Sequence, residues 1–244
     1  MLKFFRRIRR ALLSDRKFSN YLIYALGEIF LVMIGILLAL QVNNWNENRK
    51  LKAEELKLLK ELRKDVSFSV TELDTVAYYN QKSVDYIQQI QQHLRTDLPY
   101  SADLDTAFGN LDIWHQPYLP FAAYETIKTK GIDRIQNDSL KAKIIRVYEF
   151  GMKILLEDNG AWEWSFNQNT TQRMMINNIR RSDDLKDSNA RPNDYEALKK
   201  NVEFGNFINV LHHLRDDHVL ALSRMSVAMQ ELLVVLDKEI ADRS

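Results

Sequence analysis

Residues 21–42 read YLIYALGEIFLVMIGILLALQV, and this stretch decides how the rest of the chain is organised. Twenty-two residues at ~1.5 Å rise each give roughly 33 Å of helix, enough to cross a hydrocarbon core of about 30 Å. Its only side chain charged at neutral pH when exposed to water is Glu28. Tyr21 and Tyr24 stand at one end and Trp45 beyond the other, where amphipathic rings prefer headgroup depth. The pattern predicts a single transmembrane helix over 21–42. A secretory signal is the competing reading, but its apolar region is shorter and ends in a small-x-small cleavage site. Here the run ends Ala39-Leu40-Gln41-Val42-Asn43-Asn44, which offers none, so an uncleaved anchor is preferred.

The net charge of +1 over 244 residues conceals an uneven distribution. Residues 1–20 hold seven Lys/Arg and one Asp, a net +6, which leaves −5 for the remainder. By the distribution of positive charge the N-terminus is expected in the cytoplasm and the C-terminal part outside, in the periplasm of a Gram-negative cell. In 2–13, LKFFRRIRRALL, Phe5, Ile8 and Leu12 share one face, with Arg6, Arg7, Arg9 and Arg10 on much of the rest. Residues 1–20 are therefore expected to hold a basic amphipathic helix on an anionic inner leaflet. Those arginines, with Tyr21, Tyr24 and Trp45, are the expected interface anchors. A flexible segment that only sets topology is the plainer alternative.

Helical spacing puts Glu28, Val32, Gly35 and Ala39 along one face of the span. Gly35-x-x-x-Ala39 is a small-xxx-small pair that lets helices approach closely. A carboxylate inside a hydrophobic span usually faces a partner, a cavity or water. The preferred reading is a packing face in a homo-oligomer or a complex with another membrane protein. An inert Glu near the membrane edge, or a proton path, are the alternatives.

The whole chain has only seven Gly and four Pro, and beyond the span the composition is that of long helices. Residues 43–95 contain neither, and Leu56, Leu59, Val66, Val70, Leu73 and Ala77 recur at three- and four-residue steps. A long juxtamembrane helix is expected there, ended by Thr96-Asp97-Leu98-Pro99. Shorter helices are expected over 100–181. Gly131 fits a positive-φ helix end, and Asn137-Asp138-Ser139 caps the next helix. Asn159-Gly160 is a possible interruption. The loop His115 to Pro120 is either packed across the end of the helices or exposed as a contact patch. Trp162, Trp164 and Phe166 suggest an aromatic pocket or, preferably, core packing. Residues 182–194 read as a linker, and 195–242 as a capped C-terminal helix with a broad apolar stripe from Phe207 to Leu236. The expected fold is all-α, with one N-terminal transmembrane helix continuing into an extracytoplasmic antiparallel helical bundle over 43–244.

Chemistry is sparse. There is no cysteine, which excludes disulfides and thiolate sites. His212, His213, Asp216, Asp217 and His218 are the best metal candidates, but no full ligand pattern is present, and no metal or cofactor is expected. No phosphate-binding glycine motif or nucleophile elbow occurs, so no enzymatic role is expected. The acidic body argues against nucleic acid as a partner.

Certain blocks are distinctive: Lys3-Phe4-Phe5-Arg6, Lys17-Phe18-Ser19, the run Gly27-Glu28-Ile29 through Gly35-Ile36-Leu37-Leu38-Ala39-Leu40-Gln41-Val42-Asn43-Asn44-Trp45-Asn46-Glu47, and the set Tyr124-Glu125, Ile127-Lys128, Gly131, Ile135-Gln136-Asn137-Asp138, Leu140 and Tyr148. Together they resemble a family of uncharacterised single-pass inner-membrane proteins of Bacteroidota. The likeness covers most of the chain and is strongest over 1–48 and 121–150. Phe121-Ala122-Ala123 and Thr129-Lys130 depart from its Ser/Thr-rich variants. The resemblance implies an inner-membrane setting and a large periplasmic domain, and no reaction or cofactor. The expected function is a membrane-anchored, oligomerising scaffold or interaction protein. The alternative is a ligand-sensing helical module acting through a partner membrane protein.

Overall fold

The structure is a computed structural model that describes residues 18–184 and 187–243, with side chains described from residue 22 onward, Tyr24 excepted. The basic segment with Arg6, Arg7, Arg9 and Arg10 lies outside the described residues, as do the side chains of Tyr21 and Tyr24. The chain forms two compact units, one closing at Glu55 and the other running from Leu56 to Ser244.

The fold is all-α apart from one short hairpin. Helix α1, Phe18–Arg95, runs without a break for 78 residues, as expected of a sequence free of Pro and Gly from 43 to 95. Within the first unit its apolar side chains are exposed, among them Ile29, Leu31, Val32, Leu37 and Val42. Among the described residues two helices are long and apolar enough to cross a membrane: Ala25–Arg95, with a window of mean hydropathy 2.3 and nothing buried, and Val202–Ala241, at 1.7 and one-third buried. The second is apolar because it lines the core of the second unit.

In that unit α1 is followed by α2, Leu104–Gly109, and α3, Ala122–Lys130. Gly131 ends α3 at φ 98°, the positive-φ position that its type suits. The Asn137 side chain then accepts a hydrogen bond from the Leu140 N–H and starts α4, Asp138–Ile145.

From 138 to 178 the backbone stays helical, with α4 followed by π-helical turns at Arg146–Gly151 and Ile154–Asn159, then α5, Gly160–Phe166, a third π turn at Asn167–Thr171, and α6, Gln172–Asn178. Asn159-Gly160 thus does not interrupt the helix; it sits where a π turn gives way to α geometry. Buried positions show the consequence: from Leu155 the next inward residue is Gly160, a step of five rather than three or four.

Residues 182–194 are not simply a linker. Strands β1, Ile179–Arg181, and β2, Ala190–Pro192, pair antiparallel, with Ile179 opposite Pro192 and Arg181 opposite Ala190. Pro192 is tolerated because a two-stranded sheet has free edges. The last helical region is also two helices, α7, Tyr195–Lys200, and α8, Val202–Ala241. Asn201 adopts an extended backbone between them and caps α8 with its own side chain, which accepts from the Phe204 N–H at 3.1 Å.

The second unit has two apolar clusters. One joins Leu59, Leu62, Val66 and Leu73 of α1 to Ile127, Leu140, Ile144, Leu155, Leu222, Met229 and Leu236. The other joins Ile87 and Ile90 of α1 to Phe108, Leu111, Met174, Phe204, Phe207 and Leu211. The gap between them is polar.

Candidate functional site

Three helices carry buried polar residues at the level where one apolar cluster gives way to the other. On α1, Asn80 and Ser83 lie between Val76 and Ile87; on the π-containing helix, Glu163, Asn167 and Thr171 lie between Leu155 and Met174; on α8, Arg215 and His218 lie between Leu211 and Leu222. Arg215 is wholly buried and Glu163 is 1% exposed. Their charged ends face each other at 3.4 Å, Arg215 Nη1 to Glu163 Oε2. That distance is an ion pair without hydrogen-bond geometry, and neither Glu163 oxygen has a hydrogen-bond partner. Nor does either ring nitrogen of His218.

The segment after α2 closes over this layer. Asn80 clasps the His115 main chain twice: its Nδ2 donates to the His115 carbonyl at 2.8 Å, and its Oδ1 accepts from the His115 N–H at 3.1 Å. Trp114 meets His218 edge-on, ring centres 6.0 Å apart, and the Arg215 guanidinium stands 6.0 Å from the same indole. Asp112 accepts at its carbonyl from Asn167 Nδ2 at 3.0 Å and pairs with Arg181 of β1. The Tyr118 N–H donates to Glu72 at 3.1 Å. Of the two readings of 115–120, packing across the helices describes the buried Pro117 and Leu119, while His115 is exposed and held by its main chain, and Tyr118 is 85% exposed.

Burial sets the electrostatics. Desolvation pushes the Glu163 carboxyl upward against the opposing pull of Arg215. It pushes Arg215 downward, opposed by Glu163 and Asp112. Burial lowers His218 to about 4; the His115 main chain resists the fall and Arg215 adds to it. His218 is therefore a neutral imidazole at neutral pH, one donor and one acceptor.

A cavity of about 310 Å³ opens onto this layer between the 159–163 turn and α8. Glu163 and His218 reach it from below, and Trp162, Val210, Leu214 and Asp217 form its walls. A wider groove of about 610 Å³ lies along Phe150, Ile154 and Met225. Of its charged residues Lys143, Arg146 and Glu231, Lys143 and Glu231 already pair with each other at 2.9 Å. The smaller cavity is the better candidate, because its floor holds buried polar atoms still unpartnered.

Other expected site residues lie elsewhere. In the first unit, Glu28 is half-exposed, Val32 and Ala39 are exposed, and a Cβ at Gly35 meets nothing within 4 Å. Trp45 is exposed, with the Arg49 guanidinium 5.5 Å from its ring. The histidine cluster is divided: His212 Nε2 lies 3.3 Å from Gln88 Nε2, whereas His213, stacked on His212, lines the cavity together with Asp217 and His218, and of the three histidines His218 is the buried one. Among the described residues no group of three potential ligands is arranged to hold a metal ion. Trp162 and Trp164 correct the core-packing expectation, at 71% and 62% exposed. The inward residue is Glu163 between them. Only Phe166 packs, stacked on Phe207 with ring centres 6.1 Å apart.

A family model described as "Family of unknown function (DUF6090)" matches residues 28–187, and the chain belongs to that family. No curated protein matches the chain, and no solved structure does.

Proposed function

We propose that this DUF6090 member is a non-enzymatic, single-pass inner-membrane protein that assembles with copies of itself, or with another membrane protein. In this reading the basic N-terminus is cytoplasmic and binds anionic lipid, and the second unit is a periplasmic helical domain. The Bacteroidota setting follows from the resemblance in the N-terminal motif. One observation carries the assembly role: the apolar side chains of 29–42 are exposed on every side, and the stripe Glu28–Val32–Gly35–Ala39 presents small residues beside a carboxylate. Without a hydrophobic driving force between helices in lipid, close packing at small residues and interhelical polar contacts are what favour association. Cross-linking of the full chain in mild detergent tests it. A defined oligomer that weakens on Gly35→Leu supports the reading, and a monomer unchanged by that substitution sinks it.

A second reading is favoured by the Glu163–Arg215 pair beneath its cavity. Here the periplasmic domain senses a small ligand. In this reading the signal passes through a partner protein in the membrane.

A further inference from the structure

We propose that the cavity over Glu163 and His218 binds a small organic cation, an ammonium group carried on an apolar body. The proposal rests on the ligand-sensing reading and adds the chemical class of the ligand. Its polar end is set by the floor. Glu163 is among the residues lining the cavity, its Oε1 is buried and accepts no hydrogen bond, and its Oε2 faces Arg215. An ammonium supplies three donors, enough for Glu163 Oε1 and for the acceptor nitrogen of His218, which is also unpartnered.

The sign of the charge follows from what the cavity sees. Glu163 and Asp217 are its acidic lining residues, beside His213 and His218, and among its lining residues there is no Lys or Arg. Arg215 stands behind Glu163, wholly buried, and is not part of the lining. Glu163 is offset by Arg215, and Asp217 has no such counter-charge among the described residues, so an anion entering here would meet the Asp217 carboxylate, whereas a cation is attracted by it. The walls point the same way. Trp162 exposes its ring, a surface on which an ammonium gains cation–π attraction. Val210 and Leu214 offer apolar contact to the body. A volume of about 310 Å³ sits at the small end of ligand pockets, so the ligand is small.

The experiment is calorimetric titration of the full chain in zwitterionic-lipid nanodiscs, corrected with empty discs. Three probes share one aromatic body: 2-phenylethylamine, 2-phenylethanol and 3-phenylpropionate. Saturable one-to-one binding of the amine is expected, at least tenfold tighter than of the alcohol, with no saturable binding of the acid. Glu163→Gln should weaken the amine tenfold or more. If that variant does not fold, Val210→Trp decides, because Val210 is an exposed wall and the larger ring fills the cavity. Equal or tighter binding of the alcohol or the acid overturns the ligand class and leaves a sensing site. Binding of none of the three overturns the class and removes the support for sensing. Amine binding unchanged by Val210→Trp overturns the location.

Discussion

Arg215 Nη1 and Glu163 Oε2 lie 3.4 Å apart in a place that solvent does not reach. Withdrawing two charges from water costs several kcal/mol for each ion, and their mutual attraction offsets this only with good geometry and further hydrogen bonds. This pair has the attraction without the hydrogen bonds. It is therefore better suited to specifying how three helices align, or to meeting a ligand, than to stabilising the fold.

Removing one member alone should be worse than removing both. Arg215→Met leaves Glu163 buried without its counter-charge and is expected to lower unfolding free energy by about 3–5 kcal/mol. The double variant Glu163→Met with Arg215→Met should lie within about 1 kcal/mol of wild type or above it. Denaturant unfolding of all four proteins of the cycle checks this. A double variant as unstable as the two singles added together would refute it.

His218 should make the second unit sensitive to mild acid. Its folded-state value of about 4 lies below the ordinary 6.5. The folded form thus binds the proton less readily, and the contribution is complete above pH 6.5 and lost as pH falls toward 4. A shift of this size corresponds to about 3 kcal/mol across that window. Glu163 opposes it, since a carboxyl held above its ordinary value favours the folded state as pH falls. The difference between wild type and His218→Phe isolates the histidine: the wild-type midpoint should fall more steeply between pH 6.5 and 4. Parallel curves would overturn the assignment.

The long helices were readable because their signals are local. An apolar run of membrane length, fifty-three residues without Pro or Gly, and caps at Asn137 and Asp194 each act within a few positions. The polar layer was not readable. Its members come from positions 80, 163 and 215, which only packing brings to one level, and π turns on either side of Glu163 shift the helical phase. A constant 3.6-residue period carried on from Leu155 puts Trp162 where the structure has Glu163. The hairpin was missed for another reason: strands of three residues are too short to show alternation.

Asn80 should control the order of the segment that covers the site. Its side chain is fully buried and satisfies both main-chain groups of His115. Asn80→Leu removes both partners at once, at an expected cost of about 1–3 kcal/mol. Hydrogen exchange should speed most at the His115 amide and its neighbours, with the apolar clusters less affected. Uniform acceleration across the unit would mean that Asn80 only stabilises the fold.

The 162–166 stretch offers the sharpest contrast between composition and placement. Trp162 and Trp164 are the largest side chains there, and by hydrophobicity their loss should be severe. Both project outward, so Trp164→Ser and Trp162→Ser are expected to change stability by about 0.5 kcal/mol or less. Phe166 is smaller but packs against Phe207 in the second cluster. Phe166→Ala should cost more than either tryptophan, about 2 kcal/mol or above, through lost burial and the cavity left behind. The two tryptophans then separate from each other by a different measurement. Trp162 lines the cavity and Trp164 does not, so only Trp162→Ser should weaken binding of an aromatic amine. Equal losses of stability at all three positions would place the aromatic cluster back in the core, and equal losses of binding at both tryptophans would detach the ligand from this wall.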